Sequence, residues 1–174
     1  LLYTDVANAA FFTIFYVPMV PFIIFFIYKK PIHWSIWPSV FLCVMGGYLL
    51  TNFYSATVRL GDALVIMGAF FWSTHIIFTG KIIENYNLPL TIGAIQALIV
   101  ASLSLFIGLI LEDFIWSNII KEKFQILYAG ILSGGVAFVL QIYAQKNISP
   151  APSAIIFSLE GVFATIAAWI LLSQ

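Results

Sequence analysis

One acid, two pairs of residues and one lone tyrosine in this chain could do chemistry. Glu160 sits in an apolar stretch, Ala151 to Leu172, that is otherwise long enough to cross a bilayer. A carboxylate at that depth costs about 2.5 to 3.5 kcal/mol on insertion scales, so it faces a bundle interior or a wet cavity and marks a functional position. Glu160 then serves either as a partner for a proton or a substrate ammonium, or as an acceptor of hydrogen bonds from a neighbouring helix. Gln141 and Gln145 lie one helical turn apart just upstream, so one amide could meet a solute while the other holds a helix partner. His75 shares a helical face with Gly68, Trp72 and Thr79. A histidine titrating near neutrality could relay protons, or it could be a packed or interfacial side chain. Trp72 could stack on a substrate ring or cover lipid, and Gln96 reads as interhelical glue.

The elements that position these groups are set by composition. At 63% hydrophobic and 8% charged, the chain is far from the make-up of soluble domains. Six apolar runs are expected to span a membrane: Val6 to Tyr28, Trp34 to Phe53, Ala63 to Ile82, Pro89 to Leu111, Phe124 to Gln145, and Ala151 to Leu172. Each approaches the ~20 residues that a helix needs to cross ~30 Å of hydrocarbon. Continuous runs exclude a transmembrane barrel, whose strands would alternate, so the fold class is all-α: a polytopic helical bundle. Pro18 and Pro21 should kink the first span and free carbonyls for a neighbour, a hydroxyl or water.

Small residues mark packing faces. Gly130 and Gly134 form a GxxxG pair continuing through Ala137 to Gln141 and Gln145; Gly93, Ala97, Ala101, Ser104 and Gly108 repeat the device, as do Ala154, Ser158, Gly161, Thr165 and Ala168. In lipid, such stripes allow close helix approach. Lys29, Lys30, Lys81 and Lys146 fall on one face of the membrane and Arg59, Lys121 and Lys123 on the other. That excess, with most acids opposite, puts the Lys29/Lys30 loop in the cytoplasm. The chain opens at Leu1 without methionine and stops at Gln174 where the sixth span ends, and so reads as a piece of a longer protein.

Several function classes are excluded or disfavoured. With zero net charge and no cluster of more than two basic residues, nucleic acid is not an expected partner. The single cysteine, Cys43, allows no intrachain disulfide. Asp62 lacks the second glycine of a GxGD protease motif because Arg59 stands there, and no HExxH, phosphate loop or Cys/His cluster appears. An enzyme is not expected, and neither a cofactor nor a metal site is expected.

An internal repeat would organise these spans. A shift of 144 positions lays Tyr3 to Ala10 on Asn147 to Ala154, matching Ala7 with Ala151 and Ala10 with Ala154. It corresponds to five spans, an odd number, which reverses direction through the membrane and gives an inverted repeat with a site between halves near the midplane. Tyr16 then holds the place of Glu160 in the other copy.

Taken in order, Gly61-Asp62-Ala63-Leu64, Gly68-Ala69-Phe70-Phe71-Trp72, Gln141 to Lys146, and Ser149 through Glu160 resemble the EamA-type drug/metabolite transporter family. Tyr3 to Phe11 and Val17 to Pro21 look like the fourth helix of that family. The resemblance implies ten helices in two five-helix repeats, this chain supplying helices four to nine: residues 1–59 end the first repeat and 60–174 begin the second. It also implies transport of small organic metabolites such as amino acids, commonly export, through a central cavity in the inner or plasma membrane. The expected cavity residues are Glu160, Trp72, His75, Gln141 and Tyr16, working by alternating access, with the lipid bilayer and a small metabolite as partners and protons as the candidate coupling ion. Gly161 departs from the family pattern, since many relatives carry proline there, which puts the local kink in doubt. The rival is a non-transporting structural or assembly subunit.

Overall fold

The computed structural model describes residues 3–4, 6–50, 60–113 and 115–172, and among these every regular element is helical. Four helical stretches are long and apolar enough to cross a membrane: Ala9–Phe26, Leu60–Tyr86, Pro89–Leu111 and Lys123–Gln145. The other two expected spans appear as shorter apolar helices, Ile36–Leu49 and Pro150–Phe163. The second expected span runs into residues 51–59, outside the described residues, and the sixth is interrupted at Ser158.

The first span is two helices, α1 (Val6–Thr13) and α2 (Tyr16–Phe26), and its break lies upstream of both prolines. Pro18 has no N–H and its ring crowds the carbonyl four residues back, which is that of Ile14. At Ile14 and Phe15 the chain accordingly tightens to three-residue bonds, Ile14 N–H to Phe11 O (3.1 Å), Phe15 N–H to Phe12 O (3.2 Å) and Val17 N–H to Ile14 O (2.9 Å). Thr13 adds a hydroxyl bond to Ala9 O at 2.7 Å, a back-bond that bends helices. The expected kink is therefore present, one turn before the residue that causes it.

After a turn, α3 (Ile36–Leu50) and then α4 (Leu60–Tyr86), α5 (Pro89–Leu111), and the short α6 (Trp116–Lys121) follow. The fifth span begins as α7 (Lys123–Leu127), widens into a π-helical segment at Tyr128–Ala137, and ends as α8 (Phe138–Gln145). In π-helical bonding residue i pairs with i+5 rather than i+4. A Cβ on Gly134 would meet Ala129 O at 3.3 Å, and one on Gly135 would meet Gly130 O at 3.5 Å. Each oxygen lies five residues back, where the widened turn brings it, so a side chain at Gly134 would crowd the carbonyl that the wider turn presents. Of the small residues singled out, Gly93 makes the close approach: a Cβ there would meet Val139 Cγ2 at 2.9 Å. Around Gly108, Gly130 and Gly161 a Cβ would meet nothing within 4 Å.

The last span is again two helices, α9 (Pro150–Phe157) and α10 (Leu159–Leu172). No proline breaks it. Ser158 donates its hydroxyl to Ile155 O at 2.6 Å, and Gly161 N–H bonds three residues back to Ser158 O at 3.3 Å. A serine and glycine pair thus makes the interruption that the missing proline had put in doubt. Both α1 and α9 have eight residues, and the ends of α9 stand 144 positions after the ends of α1.

The chain divides into two compact units, residues 1–79 with 148–174, and residues 80–147. In the first, α2 packs against α3 and α9, and α3 against α9. Its core joins Tyr16, Val17, Val20 and Ile24 of α2 to Val40, Ala69, Ile76, Ile77, Ala151 and Ala154. In the second, α5 packs on α8, where Ile92 and Ile142 meet Ile83. Ile76 is fully buried. Ile76→Ala is expected to lower stability by roughly 2 to 5 kcal/mol, read as an earlier thermal unfolding transition in detergent.

Candidate functional site

Tyr16, Cys43, Ser158 and Glu160 lie on the two broken helices and on α3, which packs against α2 and α9. Tyr16 opens α2 directly after the Ile14–Phe15 break and is buried, at 5% exposure. Its hydroxyl lies within electrostatic reach of the Glu160 carboxylate and the Cys43 thiol. Glu160 sits in the first turn of α10, just past the Ser158 break. Ser158 links the third helix to this point, its hydroxyl 3.5 Å from Cys43 Sγ. Cys43 itself packs on the core beside Tyr16. The thiol of α3 and the alcohol between α9 and α10 are thus in contact, with the phenol of α2 on the same core.

Within this chain Glu160 is exposed. The reason is its place at the start of α10, beyond the end of the α9 packing face on which Ala151 and Ala154 are buried.

Trp72 and His75 lie on α4. Their rings meet edge-on, with centroids 5.2 Å apart and planes at 88°. Trp72 packs against the core cluster that contains Tyr16. One turn of α4 thus carries an aromatic pair on the same core as the Tyr16 phenol. Neighbouring hydroxyls are spent within the helix, Ser73 donating to Phe70 O and Thr74 to Phe71 O, each at 2.7 Å. They are satisfied without a ligand.

Gln141 belongs to the second unit, on α8, where its side-chain nitrogen is buried and makes no hydrogen bond. A buried amide N–H left without an acceptor is costly, on the order of 1 to 3 kcal/mol, so this group is available to a polar solute or helix. Of the expected five, Tyr16 and Trp72 share one core and His75 packs on Trp72, while Glu160 is exposed and Gln141 belongs to the other unit.

Cys43 and Ser158 were not singled out for this place by the sequence. Ser158 had a signal, since it lies two residues before Glu160 and three before Gly161, the spacing of a helix interruption. Cys43 had none, because its partners come from helices far away in the chain. Among the described residues, no group of three His, Cys, Asp or Glu side chains is arranged to hold a metal ion.

Helices this long and apolar define a polytopic membrane protein. Residues 59–174, about two thirds of the chain, match the family model of the EamA-like transporter family. The chain belongs to that family, a family of membrane transporters of small molecules rather than of enzymes. The lipid bilayer and a small-molecule substrate are therefore its partners. No match was found among curated proteins or among solved structures.

Proposed function

We propose that this chain forms part of a ten-helix carrier of five plus five helices, with residues 1–59 ending one inverted repeat and 60–174 beginning the other. The carrier exports small organic metabolites such as amino acids across the plasma membrane by alternating access. Its cavity is lined by Glu160, Tyr16, Trp72, His75 and Gln141, with protons as the coupling ion.

The observation that carries this reading is the pair of matched helix breaks. The eight-residue helices α1 and α9 stand in the same 144-residue register that relates Tyr16 to Glu160. Tyr16 opens α2 and Glu160 lies in the first turn of α10, each just past its helix break. Interrupted helices near a repeat axis free backbone groups for a solute at mid-membrane depth, as transporter sites require. In a ten-helix bundle the exposed side of Glu160 would face the cavity.

Flux separates a carrier from an assembly subunit. Full-length protein in liposomes is expected to give saturable exchange of at least one member of a panel of labelled amino acids, amines and related metabolites. If no compound moves faster than in protein-free liposomes, with the protein shown folded and inserted, the carrier reading fails.

A further inference from the structure

The turn between α2 and α3 carries an exposed group of basic side chains that no neighbouring acid offsets in sequence. From Val6 to Gly61 the chain contains no Asp or Glu, yet Lys29, Lys30 and His33 fall within five positions. All three are exposed. The other lysine pair, Lys121 and Lys123, is flanked by Glu112, Asp113 and Glu122.

The backbone presents this group. Lys29 adopts a left-handed conformation (φ 49°) that ends α2, while Lys30 N–H returns to Ile24 O at 3.3 Å. Both side chains leave from a fixed corner at the end of an apolar helix. His33 adds a defined donor: Ser35 N–H donates to His33 Nδ1 at 3.4 Å, and the Ser35 hydroxyl lies 2.7 Å from the same nitrogen. An Nδ1 that accepts leaves the ring proton on Nε2, as a donor even in the neutral imidazole.

The apolar neighbours set the depth. Phe26 and Ile27 precede the turn, each 66% exposed, and Trp34 follows at 74%. Trp37, one turn into the next helix, packs edge-on to Phe22 at 5.1 Å. Exposed aromatics at the end of a span sit at headgroup level, so the lysines beside them stand among lipid phosphates rather than in bulk water.

We infer that the turn from Lys29 to Trp37 binds the headgroup of an anionic phospholipid, with Lys29, Lys30 and His33 Nε2–H donating to its phosphate and Trp34 lying along the acyl boundary. A free phosphate would gain the same charge contacts but nothing from the exposed aromatics, which favours the lipid. The site is independent of the solute cavity, since none of its residues belongs to it.

The test is native mass spectrometry of the full-length protein released from nanodiscs containing equal amounts of phosphatidylglycerol and phosphatidylcholine. Wild type is expected to retain phosphatidylglycerol in preference to phosphatidylcholine. The double variant K29Q/K30Q is expected to bind phosphatidylglycerol about tenfold to thirtyfold more weakly, the combined effect of two interfacial lysines, with phosphatidylcholine unchanged. H33Q, which leaves both lysines and so the insertion signal intact, should weaken it less, and K121Q/K123Q should have no effect. Equal loss in K121Q/K123Q, retention by K29Q/K30Q, or displacement of the lipid by millimolar inorganic phosphate would each overturn the assignment.

Discussion

Glu160→Gln in the full-length protein is expected to slow substrate flux by about tenfold to a hundredfold and to flatten its dependence on pH. Glutamine keeps the volume of the side chain and one acceptor oxygen but cannot carry charge or exchange a proton. The loss expected is that of a charge-assisted hydrogen bond, on the order of 1.5 to 3 kcal/mol. The carboxylate stands at the start of α10, past the Ser158 break. A helix-packing role alone would move stability and leave the pH profile unaltered. Flux that is the same as wild type across pH would remove Glu160 from the mechanism.

Gly61→Val is expected to destabilise the protein by roughly 1 to 3 kcal/mol or more, the cost of overpacking against atoms that cannot move aside. A Cβ at Gly61 would run into the Tyr3 carbonyl, and into Thr4 Cβ at 2.8 Å. The same approach lets Gly61 N–H bond Tyr3 O at 3.2 Å and brings the Thr4 hydroxyl to donate to Asp62 Oδ1. Asp62 is 1% exposed in the first turn of α4, so moving Thr4 away would leave a buried carboxylate short of a donor. Gly47→Ala is the control. There the obstructing atom is Ile14 Cδ1, the free end of a flexible side chain, and a change within about 1 kcal/mol is expected. Thermal unfolding in detergent reads both. A Gly61→Val protein as stable as wild type would show that the Tyr3–Thr4 segment does not sit on α4.

Much of this fold was written in the apolar runs. Length and composition suffice for spans such as Pro89–Leu111, because a helix is the only short-range way to satisfy backbone groups in hydrocarbon. The break in the first span was half legible: Pro18 announces a defect, but the defect appears at the Ile14 carbonyl, and that offset follows from the ring's reach along the helix. The break before Glu160 was harder, since Ser158 and Gly161 are common in straight membrane helices. The π-helical segment left no trace, because Gly130 and Gly134 fit an α-helical packing motif equally well.

The candidate site divides in the same manner. Glu160 stood out because its type conflicts with its surroundings, and Tyr16 followed from register. The contribution of Cys43 depends on α3 packing against α9, a contact between segments over a hundred residues apart that no local pattern encodes. The cavity expected around Glu160 belongs to helices of both halves of a ten-helix bundle, and within this chain the carboxylate is exposed.

The widened helix at Tyr128–Ala137 gives the fifth span slack. Each turn there holds an extra residue, so the segment stores length that neighbouring α-helical turns do not have. If one wide turn relaxes to ordinary winding at one end while another opens further along, the surplus residue migrates like a ruck in a carpet. As it passes, side chains between the two positions swivel about the axis, yet Lys123 and Gln145 at the ends need not travel. A glycine-bearing rod of this kind can turn part of itself inside a crowded bilayer without pushing its neighbours apart.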